Sequence, residues 1–212
     1  MKRARESMGR RRLVGGLAAF AGVGVWRLAA AAGPLNVHDH SAHMAAAAPA
    51  EVKQRTLTYQ VPAVTLVDQR GRRVVLSTAL DDGRPVILNF IFTSCAAICP
   101  VMTRIFAQAQ AKLAGEANKV HMVSISIDPE HDTPARLLAY SQEHQAGAQW
   151  SFYTGSSDAS IAVQRAFDAY RGEKMNHTPL TLLRGPRGST WVRLDGLASP
   201  DGIIAAYRAI AG

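Results

Sequence analysis

Cys95 and Cys99 are the only cysteines in the chain, and they lie four apart within residues 89–103 (NFIFTSCAAICPVMT), where an apolar strand pattern gives way to a helical one. Positions i and i+4 of a helix share one face, so both sulfurs can converge on one small target. The positive end of a helix dipole favours thiolate, the form that binds soft metals and attacks disulfides, which predicts lowered pKa values for both thiols. Such a pair is a metal clamp, a redox dithiol, or both. The bland alternative is a disulfide stapling a helix end, or two inert buried thiols. A bridge closing so short a loop constrains the unfolded chain little.

Positioning these sulfurs requires a strand and a helix on either side of them. Residues 85–92 (PVILNFIF) form a nearly continuous apolar run, as expected of a strand buried on both faces, and 120–127 (VHMVSISI) form a second. Residues 98–113 read as a helix that Gly115 can close. Thr133 and Pro134 supply the N-cap and first turn of a helix reaching about residue 145. Residues 157–169 are helical, 180–184 and 190–193 are strands around Gly185-Pro186-Arg187-Gly188, and Ser199 caps a last helix to Ile210. Upstream, 59–66 and 73–76 flank Asp68-Gln69-Arg70-Gly71 as a hairpin. This order predicts an α/β fold, a thioredoxin-like mixed sheet with helices on both faces and an N-terminal hairpin. Sites in such sheets form beyond the carboxyl ends of strands, where residues 93–99 leave one strand and Asp128 leaves the other.

The 212 residues are 48% hydrophobic, enough for one domain with extra sequence at an end. The net charge of +8 is concentrated at the start, where seven of the 24 basic residues precede Gly33 with Glu6 as the sole acid. From Gly33 onward 17 basic residues face 15 acidic ones, which excludes a nucleic-acid surface built on charge. Residues 1–32 read as an export signal or N-terminal anchor: Arg10, Arg11 and Arg12, an apolar stretch over 13–26, Arg27, then Ala30-Ala31-Ala32 as a cleavage site. The apolar stretch is shorter than the roughly 20 residues of a usual membrane-spanning helix. The folded part, residues 56–212, is therefore expected in the periplasm, free or anchored to the inner membrane, where paired thiols oxidise unless a metal or reductant intervenes. Residues 33–55 read as a flexible linker, and within them His38, His40, His43 and Met44 supply imidazole and thioether donors suited to accessory copper capture.

Three runs resemble one family when taken together. Phe92-Thr93-Ser94-Cys95-Ala96-Ala97-Ile98-Cys99-Pro100, then residues 124–134 with Asp128-Pro129-Glu130-His131-Asp132-Thr133-Pro134, then Asn176-His177-Thr178-Pro179, stand in the order seen in the Sco/SenC family. The resemblance covers roughly residues 56–212. It implies a thioredoxin-like copper chaperone that helps load the dinuclear copper centre of cytochrome oxidase, with Cys95, Cys99 and His177 as metal ligands. Two thiolates suit Cu(I), and an added imidazole also admits Cu(II). Asp128 is implied as a carboxylate near the metal. From the residues themselves, Asp128 is expected mainly to bond backbone N–H groups of its own loop and Asp132 to stand at a helix N-terminus. His131 is a neighbour of that site, whereas His121, Met102 and Met122 read as structural. Many family members carry a proline and an acid where this chain has Ala96-Ala97-Ile98, a difference that bears on partner recognition more than on the ligand atoms.

The implied partners are a copper-receiving protein, a cytochrome oxidase subunit foremost, and a copper donor or thiol reductant. A rival reading is a thiol-disulfide oxidoreductase, with Cys95 as nucleophile and Cys99 resolving the mixed disulfide. Three intervening residues, in place of the usual two, count against it. A peroxidase, suggested by Thr93 beside Cys95, lacks an arginine placed by any motif.

Overall fold

The computed structural model describes residues 51–211, so the expected export segment and the His38–Met44 donors lie outside it. One eight-stranded mixed sheet runs through the fold. In chain order its strands are β1 (Lys53–Thr58), β2 (Thr65–Asp68), β3 (Arg73–Val75), β4 (Val86–Ile91), β5 (His121–Ser126), β6 (Trp150–Thr154), β7 (Leu180–Arg184) and β8 (Thr190–Asp195). Among the described residues five α-helices accompany them: α1 (Leu76–Leu80), α2 (Ile98–Lys112), α3 (Pro134–Glu143), α4 (Ser157–Ala166) and α5 (Pro200–Ile210). Across the sheet the order is β1-β8-β7-β4-β5-β6-β2-β3. Only β4–β5 and β5–β6 are parallel.

Every residue of β4 and β5 is buried, as their apolar runs require, because both faces of the sheet are covered. Alternation sends Leu88, Phe90, Val123 and Ile125 to one face, against Leu76 and Leu80 of α1 and Val163 of α4. It sends Ile87, Ile91 and Met122 to the other, against Phe106 of α2, Leu137 of α3 and Ile203 and Tyr207 of α5. The expected helix caps are present, since Thr133 accepts from the Arg136 N–H and Ser199 from the Gly202 N–H. Among the described residues no helix is long and apolar enough to cross a membrane.

Several boundaries differ from the sequence reading. β1 starts at Lys53, inside the segment expected as linker, and pairs antiparallel with β8. Its side chains are nearly all exposed, so its sequence carries no apolar signal. The hairpin is shorter than expected, because residues 59–64 are irregular and β2 begins at Thr65. β6, unanticipated between two helices, supplies Trp150 and Phe152 to the α3 side.

The carboxyl ends of β4 and β5 are fastened together by Asp132. It is fully buried and accepts from the Thr93 N–H at 3.1 Å and hydroxyl, just past β4, and from the Ser126 hydroxyl at 2.6 Å. Its expected place as a helix-end acid is thus corrected: Thr133 caps α3, while Asp132 turns inward to join two strand ends. A carboxylate removed from water with its hydrogen bonds made is costly to disturb. Asp132→Ala is expected to leave the Thr93 amide and both hydroxyls unpaired and to cost about 3 kcal/mol, read as a lower urea midpoint with unchanged slope.

Candidate metal and dithiol site

Past Ile91 the chain turns, and the Cys95 N–H donates to the Phe92 carbonyl at 3.2 Å. Cys95 lies in this turn, ahead of α2, and Cys99 lies in the first helical turn. Their sulfurs therefore meet through a helix-entry turn, not along one helix face as the spacing predicts. Both cysteines are free thiols, Cys95 partly exposed and Cys99 fully buried.

Helix entry separates the two thiols chemically. Burial pushes the Cys95 thiol up, but the N–H groups of Cys99, Ala97 and Ile98 and the Cys99 side chain, all bonded to its sulfur, outweigh burial and leave its pKa below the ordinary value. Cys99 is pushed up to about 12, by burial first, with the nearby Cys95 and Asp132 adding to it against the Phe92 N–H, which favours the thiolate. The expectation of two lowered pKa values holds for Cys95 alone. Beyond Cys99 lies Tyr140, its phenol 2.6 Å from the Thr103 hydroxyl and raised to about 12 by burial.

His177 reaches the same strand from the far side of the sequence. The β4–β7 ladder stops at the Asn89–Thr181 pair. Ile91 turns its carbonyl toward β5, where Ile127 N–H takes it at 2.9 Å, so strand alternation aims the Phe90 carbonyl and the Phe92 N–H at the opposite edge. His177 Nε2 lies 3.1 Å from the Phe90 oxygen. A carbonyl only accepts, so Nε2 carries the proton and Nδ1 keeps its lone pair, the tautomer of a metal-ligating histidine oriented by a backbone carbonyl. Among the described residues Nδ1 has no hydrogen-bond partner. Burial lowers the His177 pKa, and Arg171 adds to this against the Phe90 bond, so the ring stays neutral. His177 and Cys99 thus sit on successive backbone groups of one strand edge.

Among the described residues no three His, Cys, Asp or Glu side chains lie close enough together to hold one metal ion. The donor chemistry nevertheless fits a soft cation: two sulfurs in mutual contact, one with its pKa lowered, and a neutral imidazole whose Nδ1 keeps its lone pair.

Asp128 behaves differently from its expected role in its own loop. Its carboxylate takes Lys174 Nζ at 2.6 Å and lies 3.4 Å from the Ser94 hydroxyl, so it spans the cysteine turn and the histidine segment. Lys174 belongs to no motif, and its partner is 46 residues away, so no spacing in the sequence points to this contact. The hydrogen bond to Asp128 pushes the Lys174 pKa up and keeps it charged. His131 is held by Arg136 Nη1, 2.6 Å from its Nε2, and Thr93 is committed to Asp132. His121 is buried at the opposite end of β5, between Ser151 and Asp82, with its pKa lowered to about 4 by burial. Met102 and Met122 are core residues, as expected.

The SCO1/SenC family model matches residues 52–212. The SCO1 protein homolog of Bacillus subtilis is 36% identical over 162 residues, covering 72% of this chain and 83% of that protein. Among solved structures, BsSco, described as a member of the Sco family of cytochrome c oxidase assembly proteins with a disulfide switch, matches at TM-score 0.63 and 29% identity, covering 74% of this chain and 95% of that one. Arabidopsis thaliana ScoI with copper bound matches at TM-score 0.58 and 27% identity, covering 70% of this chain and 98% of that one.

The split between the thiols sets an order of reactivity. In the reduced protein, iodoacetamide is expected to label Cys95 first, with a pH midpoint below that of a free thiol, because a lowered pKa populates thiolate at lower pH. Cys99 should stay unlabelled through neutral pH. Cys95→Ser should abolish the fast phase and Cys99→Ser should retain it; equal labelling of both positions by mass spectrometry contradicts the assignment.

Proposed function

The chain belongs to the SCO1/SenC family, and on that premise we propose that it is a copper carrier of the periplasmic side, free or anchored through its N-terminus. It takes copper as Cu(I), and also Cu(II), on Cys95, Cys99 and His177 and passes it to a cuproprotein, foremost the dinuclear centre of cytochrome c oxidase. The observation that carries this reading is the neutral His177 ring seated on Phe90 with Nδ1 free, next along the strand edge to Cys99. Copper bound to Arabidopsis thaliana ScoI and the assembly role of the BsSco family support the choice of cargo and destination.

The chain's own residues account for capture and release in steps. Cys95, partly exposed and with the lower pKa of the two thiols, engages first, Cys99 gives up its proton as the second sulfur engages, and His177 closes from the other loop. A ligand from a separate segment leaves one side open, so an incoming protein can replace donors singly and the ion is never free. Asp132 holds the strand ends fixed throughout.

The unequal thiols also favour a second reading, reduction of a partner's disulfide. The Cys95 thiolate attacks one partner sulfur and expels the other as thiolate; Cys99, deprotonated, then attacks Cys95 and frees the second partner thiol. Two electrons pass to the partner, and Cys95–Cys99 is left as a disulfide.

Competition for Cu(I) against a chromogenic chelator separates the two. The reduced protein is expected to bind one ion in its folded domain, with His177→Ala weakening binding by about tenfold or more and His121→Ala leaving it unchanged. Unchanged affinity in His177→Ala, together with loss of disulfide reduction in Cys95→Ser, would transfer the assignment to the reductase. For the accessory donors, deleting residues 38–44 is expected to lower total copper per chain without changing the affinity of the Cys95–Cys99 site; unaltered stoichiometry reduces that segment to a tether.

A further inference from the structure

We infer that Lys174 is a positioning residue that straps the histidine-bearing segment to the cysteine turn, a role that rests on the carrier reading above. Lys174 opens a single 3-10 turn over Lys174–Asn176, and the His177 N–H donates to the Lys174 carbonyl at 3.1 Å. Whatever fixes Lys174 therefore fixes the backbone of His177 one turn later. Its ammonium donates to Asp128 at 2.6 Å and lies 5.9 Å from the centre of the Phe92 ring, on the chain between the two thiols and the Phe90 carbonyl.

Asp128 is the other end of the strap, and it does not move independently of the site. Its side chain is 10% exposed, and the Asp128 carbonyl accepts the N–H groups of both His131 and Asp132. Its own N–H donates to Ser126, and the Ser94 hydroxyl beside Cys95 faces the oxygen that Lys174 takes. A surface ion pair between two free side chains contributes little, but here one partner is buried and rigidly placed, so the ordering cost falls on the lysine alone. The strap keeps His177 on the Phe90 edge, beside the Phe92 N–H that Cys99 occupies. Without it, the segment leading to His177 is exposed and held by its own turn only.

The test begins on the metal-free reduced protein, where the Nε2–H resonance of His177, identified by its loss in His177→Ala, reports seating on Phe90. Lys174→Ala is expected to speed exchange of that proton with water by about tenfold, and Lys174→Arg to restore it. Cu(I) affinity should fall about three- to tenfold in Lys174→Ala and recover in Lys174→Arg. The pair Asp128→Asn with Lys174→Met removes both charges together and should keep the low affinity; recovery to the parent value would make the effect one of net charge and overturn the strap. An unchanged His177 resonance in Lys174→Ala overturns it as well. If instead the parent protein binds Cu(I) without regard to His177, the carrier reading fails, while the metal-free resonance still decides the strap.

Discussion

A buried strand cannot leave its backbone groups unpaired, and the early end of the β4–β7 ladder creates that demand at the edge carrying Phe90 and Phe92. The demand is met from two remote places: the His177 ring covers the carbonyl of Phe90, and Cys99 covers the N–H of Phe92. Satisfying the backbone and gathering the donors are therefore one event. The fold need not hold a sulfur and an imidazole together by contacts between them, because each has its own seat on the same rigid strand.

That strand is rigid because the sheet is covered on both faces and its end is tied down. Phe90 and Ile91 point into opposite cores. Asp132 then joins the end of β4 to the end of β5, and Asp128, from the same turn, reaches outward to Ser94 and Lys174. Two carboxylates four residues apart do different work, one dry and structural, the other at the boundary with solvent. Chemistry sits on loops whose anchors are strand ends, the arrangement expected of an open parallel segment of sheet.

The central elements were legible in the sequence because their residues are buried on all sides and so carry unbroken apolar runs, as β4 and β5 do. The caps at Thr133 and Ser199 were legible because capping is local chemistry. β1 was not: it is an almost fully exposed edge strand of polar composition, and its existence depends on β8 being there to pair with it. β6 was missed because five residues between two helical patterns give periodicity too little length to register. At the site, residue types and motif order pointed to the cysteines and the histidine, whereas the inequality of the thiols, the inward turn of Asp132 and the participation of Lys174 depend on contacts between distant segments. Such contacts leave no spacing to read.

The high pKa of Cys99 carries a further consequence. On the carrier reading, an ion taken by both sulfurs displaces the hydrogen that Cys99 holds, so one cation is exchanged for another and the charge of the pocket changes less than the added ion alone implies. On that same reading, acid competes at Cys99 first, because its buried sulfur holds its hydrogen more tightly than that of Cys95.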